Sequence, residues 1–271
     1  FGDSFQSMPL IIRGLDDNLK KNLQEQLFNI IKKEKLSNLA ITNVFYSPSD
    51  LRILSDKLIE AEYRKIDLDI ARLDLRKGEE FLWRNLRVNF RNAVRQAKKN
   101  NLFVYRGSSK DLFEMFLKLF KKKPIGKKIL LRNDFLRKEF REFSRERLVE
   151  FWVAEKDNVV VAVNYFLRHK DSVYWLHNVY LKEAMIYRAN NLVLWEALKY
   201  YSNNGFNLAH LGTLGYENNG PSGYGRFKLG LNPLLERVAY FNRINNRFMG
   251  KIGDAHLRFR KLINNFIRHK I

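Results

Sequence analysis

Apolar residues recur along this chain with two periods, one helical and one alternating, and the switches between them outline the fold. Leu19, Leu23, Leu27, Ile30 and Ile31 follow the Asp16-Asp17 pair at helical spacing, which predicts an amphipathic helix over 16–33. A strand is expected over 39–46. Ser47-Pro48-Ser49-Asp50 then opens a helix running to about Glu62, and Ile66, Leu68 and Ile70 alternate with Asp67 and Asp69 in a strand over 66–75. A helix over 78–100 and a strand over 102–105 follow. Further on, helices are predicted over 110–121 and 133–143 around a basic loop at 121–128. Three strands come next, over 148–154, 159–167 and 173–180, joined by the turns Lys156-Asp157-Asn158 and His169-Lys170-Asp171. Such short turns make an antiparallel meander. A helix over 188–202, stopped by Asn203-Asn204-Gly205, leads to a strand over 206–211, and the last strand is expected over 234–241. Helices and strands thus alternate in both halves, which predicts an α/β (α+β) fold with mixed sheets flanked by helices and a boundary near Gly107.

Composition narrows the chemistry. With 271 residues, 45% of them hydrophobic, the chain can bury a full core. It has no cysteine, which removes disulfides, thiolate metal sites and cysteine nucleophiles and permits a reducing cytoplasm. Five scattered histidines, none at ligand spacing from another, predict no metal site. The apolar run from Val159 to Leu167 is broken by Asn164 and falls short of the roughly 20 residues that a membrane span requires. The opening residues FGDSFQSMPL do not read as a signal peptide and begin as if inside a domain. Against 29 Asp and Glu stand 50 Lys and Arg, a net charge of +21, which points to polyanionic partners such as nucleic acid, phosphorylated substrates or anionic lipid.

Three stretches concentrate candidate chemistry. On the helix over 82–99, Leu82, Leu86, Phe90, Ala93 and Ala97 share one arc, while Arg84, Arg87, Arg91, Arg95 and Lys98 share the opposite one. Guanidinium groups in such a ridge suit phosphate oxygens, although a solvated helix face carries the same pattern. The second stretch, Gly212 to Gly225, holds five glycines and delivers Arg226, Phe227 and Lys228. Its glycines allow close approach of a ligand to the backbone, Tyr216 and Tyr224 bring hydroxyls, and Lys228 offers a mobile ammonium to a phosphate or a developing oxyanion. The third, 237–271, carries nine Lys and Arg against Asp254 alone, with Ile244, Phe248, Ile252, Phe259, Leu262, Ile263 and Phe266 at helical spacing. A basic amphipathic helix there suits an anionic membrane surface, RNA phosphates or simple packing on a sheet.

The order of these features resembles a known family. Trp83 to Ala97, with Arg91-Asn-Ala-Val-Arg95-Gln-Ala97, is similar to the arginine-rich helix of the FemABX peptidyltransferases within the GNAT acyltransferase superfamily. Asn191 to Lys199, followed by Asn204-Gly-Phe206, resembles that family's helix ahead of the penultimate strand, and Gly225-Arg-Phe-Lys-Leu-Gly230 resembles its terminal Phe-Lys motif.

The resemblance implies tandem GNAT-like domains: a first over 1–107, incomplete at its N-terminus, a second over 108–241 with the active site, and a basic helix over 242–271. It implies transfer of an aminoacyl group from aminoacyl-tRNA, with no bound cofactor, to an amine of a phosphorylated or lipid-linked envelope precursor. Work in the cytoplasm, at the inner face of an anionic membrane, fits that acceptor. Carried over by position, Lys228 corresponds to the lysine that stabilises the tetrahedral intermediate or the donor's phosphate, with Phe227 beside it. Tyr180 and Arg132 match residues that hold the acceptor's phosphates. Arg226 and Tyr224 flank the lysine as substrate contacts, and Tyr216, His177 or the substrate's own carboxylate serves as the base. One departure bears on the donor: where GNAT enzymes carry a glycine-containing pyrophosphate loop, this chain reads Arg188-Ala-Asn-Asn-Leu-Val193. Without glycines the backbone is less free to cradle a CoA pyrophosphate, which favours tRNA over acyl-CoA. Two alternatives remain open at this level: an acyl-CoA N-acyltransferase acting on an amino sugar, and a non-catalytic RNA-binding module.

Overall fold

The structure is a computed structural model, and it describes residues 4–6, 17–33, 38–40, 52–122, 133–217 and 220–242. The chain divides into two compact units, 1–68 with 237–271 and 69–236. This division differs from the expected one at Gly107, because the elements on either side of that residue belong to the larger unit. The segments expected at 41–46 and 243–271 lie outside the described residues, as does Arg132.

In the smaller unit, β1 (Ser4–Gln6) lies parallel to β2 (Asn38–Ala40), while α1 (Asp17–Lys33) and α2 (Arg52–Glu60) pack together. Ile31, Leu54, Leu58, Tyr63 and Phe241 form their core. Buried Gln24 satisfies the start of α2 by accepting from the Leu54 N–H at 2.9 Å, since the first turn of a helix has no internal partner for its donors.

The larger unit begins within β3 (Arg64–Asp74) and continues through α3 (Gly78–Asn85), α4 (Val88–Lys99), β4 (Phe103–Gly107), α5 (Lys110–Lys122) and α6 (Asn133–Arg145). The meander follows as β5 (Val149–Lys156), β6 (Val159–His169) and β7 (Ser172–Tyr180), then α7 (Ala189–Asn203) and β8 (Leu208–Thr213). The ribbon β9 (Tyr216–Glu217) and β10 (Gly220–Pro221) and the short α8 (Gly223–Leu229) complete it, and the chain passes into the smaller unit within β11 (Leu234–Asn242). The sheet of the larger unit runs β3-β8-β7-β6-β5-β4, antiparallel throughout except for the parallel pair β7 and β8. Both faces are covered, so the central strands are apolar on both sides. Leu82, Phe90, Val94, Leu194, Trp195 and Leu198 from α3, α4 and α7 meet one face; Phe113, Phe116 and Leu136 from α5 and α6 meet the other, over Phe151 and Tyr165. Each fully buried large side chain there contributes about 1.5–3 kcal/mol.

Where the alternation admits a charge, the charge is paired. Glu150 on β5 is almost fully buried and takes hydrogen bonds from Arg106 (2.8 Å), the Tyr201 hydroxyl (2.7 Å) and the Trp152 indole (3.2 Å), with Arg168 at 3.6 Å.

One expected element is two. The helix predicted over 78–100 breaks at Leu86 and Arg87, whose backbones are extended. Arg91 fills the break: its guanidinium donates to the carbonyls of Arg84 and Leu86, each at 2.6 Å, and so closes the end of α3. The Arg87 N–H donates to the Gly230 carbonyl at 2.9 Å, tying the start of α4 to the end of α8.

Candidate active site

Parallel strands β7 and β8 pair over three residues only, Ser172 to Leu208, Val173 to Ala209 and Tyr174 to His210, although β7 continues to Tyr180 and β8 to Thr213. Beyond Tyr174 no strand of the described residues pairs with this edge of β7. Lys228 comes to this region from α8. A sequence of three glycines among ten residues gives no reason to expect a helix there, yet Ser222 starts one: its Oγ accepts from the Gly225 N–H at 3.0 Å and donates to the Leu214 carbonyl at 3.2 Å. Gly225 lets the helix lie against the turn after β8, because a Cβ at that position would stand 2.5 Å from the Leu214 carbonyl oxygen.

The Lys228 side chain is buried, with 2% of its surface exposed, not mobile as the sequence led one to expect. Its Nζ donates to the Thr213 carbonyl at 2.6 Å and lies 4.2 Å from the Tyr224 ring centre and 5.8 Å from that of Trp175. Gly212, at φ +75°, passes so close that an added Cβ would sit 3.4 Å from the ammonium. Among the described residues no carboxylate pairs with it. Burial therefore pulls its pKa down, to about 7, since desolvation penalises the charged form and one carbonyl plus aromatic faces offset little of that cost. An ammonium near neutrality can both give a hydrogen bond to a developing oxyanion and exchange a proton.

Around the lysine the other predicted residues divide. Phe227 is half-buried against Phe90 (5.4 Å) and Trp175 (6.1 Å), so it supports α8 from behind. Tyr224 is 41% exposed and caps the ammonium on its outer side. Arg226 points outward and donates to the Pro221 carbonyl at 2.9 Å. Tyr216 stands opposite Pro221 in the ribbon that joins β8 to α8, and Tyr180 ends β7 opposite Ala162. His177 faces the core under α5 and α6, with Glu139 Oε1 3.3 Å from its Nε2.

The expected basic ridge is not one continuous face. Arg84 pairs with Glu80 on α3, Arg91 is occupied by the carbonyls at the helix break, Arg95 stacks over Trp83 at 5.6 Å, and Lys98 pairs with Glu196 at 3.3 Å. Arg87 is exposed at the start of α4. Arg188, where the glycine loop is absent, takes the left-handed conformation at φ +55° ahead of α7, which has no side-chain N-cap.

Sequence reasoning did not find Trp175, the Thr213 carbonyl or Asn164. Trp175 lines the ammonium's pocket, and its indole donates to Asn164 Oδ1 at 3.0 Å within the core. The signal was present in a fully buried Asn in the middle of an apolar strand, since such a residue requires a partner.

No curated protein matches the chain in sequence. Its fold is shared with FemX, at a TM-score of 0.63 and 12% identity over 86% of this chain and 80% of that one. It is shared also with a C-terminal domain assigned to lysylphosphatidylglycerol synthetase from Agrobacterium fabrum (TM-score 0.55, 11% identity, 88% and 78% covered). L-PGS from Bacillus licheniformis is similar too (TM-score 0.52, 11% identity, 88% and 77% covered). Residues 84–228 match the acetyltransferase (GNAT) domain family. That match runs from the arginine-bearing helices to Lys228 itself, more than half of the 271 residues; the chain belongs to the GNAT acetyltransferase family and is an acyltransferase.

Proposed function

We propose that the protein transfers an aminoacyl group from aminoacyl-tRNA to an amine of a cell-envelope precursor, with Lys228 meeting the oxyanion. The observation that carries the catalytic part is the buried ammonium, held between Thr213, Tyr224 and Trp175. In the transition state the ester carbonyl oxygen gains negative charge, and an ammonium already desolvated interacts with that charge more strongly than one in water. The donor reading draws support from the net charge of +21, from the missing glycines at 188–193, and from the shared fold of FemX and of proteins named for joining lysyl to phosphatidylglycerol. Among the described residues no helix is long and apolar enough to cross a bilayer.

Transfer from acyl-CoA is the second reading. The family's description as acetyltransferases and the uncapped N-terminus of α7 favour it, because free N–H groups at a helix start attract phosphate. The test is to incubate the protein with a panel of charged tRNAs and acyl-CoAs plus candidate amines and to follow which donor is consumed. Consumption of an aminoacyl-tRNA with amide formation supports the first reading. Consumption of acyl-CoA alone transfers the conclusion to the second, and tight RNA binding without any transfer contradicts both.

A further inference from the structure

Behind the wall of the Lys228 site stands a polar side chain that the packing of the sheet does not call for. Asn164 lies on β6 between Val163 and Tyr165, and none of its surface is exposed. Taking a side-chain amide out of water costs free energy unless it is hydrogen-bonded, and an apolar residue in its place would carry no such cost. Its Oδ1 accepts from the Trp175 indole N–H at 3.0 Å. Trp175 is 4% exposed and meets three residues of α8. Its ring centre lies 5.6 Å from that of Tyr224, 6.1 Å from that of Phe227 and 5.8 Å from Lys228 Nζ. One hydrogen bond thus links the middle of the sheet to the helix that carries the lysine.

The register of β6 with β7 shows why Trp175 needs that link. A shift between Tyr165 and Phe166 sets Trp175 opposite Phe166 and His177 opposite Tyr165. Two residues that regular alternation would send to one face therefore go to opposite ones: Trp175 joins Phe166 in the core under α3, α4 and α7, while His177 stands beside Tyr165 in the other. The contacts of Trp175 with Tyr224 and Phe227 are between rings, and dispersion between such surfaces tolerates several orientations. A hydrogen bond does not. If the indole turns about its bond to Cβ, Nε1 leaves Asn164 and the ring edge facing Lys228 changes.

We propose that Asn164 is a positioning residue, which holds the Trp175 indole in one orientation and through it keeps the Lys228 ammonium in its desolvated place. Its bearing on acyl transfer rests on the reading of Lys228 as the group that meets the oxyanion. Without the acceptor, the indole N–H is left unsatisfied in the core and turns away or draws in water. Water beside Nζ then favours the charged form and loosens the fit to the developing oxyanion.

The test reads the lysine's surroundings apart from its chemistry. Asn164→Leu keeps the branched outline of the side chain and removes the acceptor. Its control is Val163→Ala, which opens space in the same strand but in the opposite core. Wild type, Asn164→Leu and Val163→Ala are each unfolded in urea at pH 6, 7, 8 and 9 beside the same protein carrying Lys228→Met. The pH above which the stability gap within each pair begins to narrow reports the lysine's titration. That onset should lie at least about one pH unit higher in Asn164→Leu than in the wild type, and stay in place in Val163→Ala although both variants lose stability. With the aminoacyl-tRNA or acyl-CoA that the wild type consumes, Asn164→Leu should lower kcat at pH 7 about tenfold or more and leave the donor's KM within about threefold. Trp175→Phe keeps a ring and has no donor; it should move the onset in the same direction, and it supplies the comparison if Asn164→Leu fails to fold. An onset unchanged in Asn164→Leu, or displaced equally in Val163→Ala, overturns the proposal. A displaced onset with unchanged kcat upholds the anchoring of the ammonium by Asn164 and removes Lys228 from the oxyanion.

Discussion

Lys228 makes a prediction in which function and stability pull in opposite directions. Its ammonium is buried and titrates at about 7 in the folded protein, against roughly 10.4 in an unfolded chain. Between these values the unfolded state binds one proton more, so the free energy of unfolding rises with pH. The sign follows from burial: below pH 7 the fold carries the full cost of a charged, desolvated lysine, and above the unfolded value it carries none. From pH 7 to 9 the gain is about 2 kcal/mol, allowing for half-titration at the lower end. Lys228→Met removes the titration and keeps the chain length. The variant should therefore be more stable than the wild type at pH 7, by roughly 2–4 kcal/mol, with the gap narrowing by about 2 kcal/mol at pH 9. Urea unfolding of both proteins at pH 7, 8 and 9 and constant ionic strength measures it, and taking the difference cancels the other titrating groups. A gap that is flat with pH, or a variant less stable than the wild type at pH 7, would refute the claim that the lysine is held desolvated against its charge.

Three further outcomes follow from the packing. Gly225→Ala places a methyl 2.5 Å from the Leu214 carbonyl oxygen, so α8 must shift. About 1–3 kcal/mol of stability should be lost, as read by thermal unfolding, together with a loss of activity that a mere surface change would not produce. Glu150→Ala leaves Arg106, the Tyr201 hydroxyl and the Trp152 indole without their shared acceptor and should cost about 3–5 kcal/mol in denaturant unfolding. Arg91→Ala opens the carbonyls at the end of α3 and should cost about 1–2 kcal/mol, while affinity for tRNA, followed by filter binding, changes less than in Arg87→Ala.

The regular elements were legible because their periodicities are strong. The meander of β5, β6 and β7 shows in its turns, with Asp157, Asn158 and Lys170 at positive φ, and α7 is marked by the run from Asn191 to Lys199. The break between α3 and α4 was not legible, since Leu86 and Arg87 continue the helical period and no Gly or Pro interrupts it. What ends α3 is a side chain, Arg91, placed further along. For the same reason Arg91 read as part of a ridge when its guanidinium is spent on the backbone.

The site shows the same divide. Lys228, Phe227 and Tyr224 were visible as a cluster because they adjoin in sequence. The burial of the ammonium was not, since it depends on Trp175 and Thr213 arriving from other strands. Ser222 three residues before Gly225 was a local capping signal for α8 within what otherwise reads as a loop. His177 was visible as a strand histidine, but its partners Glu139 and Tyr165 are brought to it only by the packing of α6 and by the register of β6 with β7.

The central claim is that the Lys228 ammonium stabilises the oxyanion of acyl transfer. The most direct measurement is the single-turnover rate of Lys228→Met with whichever donor the wild type consumes, alongside the donor's Kd. The account predicts a rate about 10²–10³-fold lower with the donor still bound and the fold intact. A folded Lys228→Met protein that transfers at the wild-type rate would contradict it.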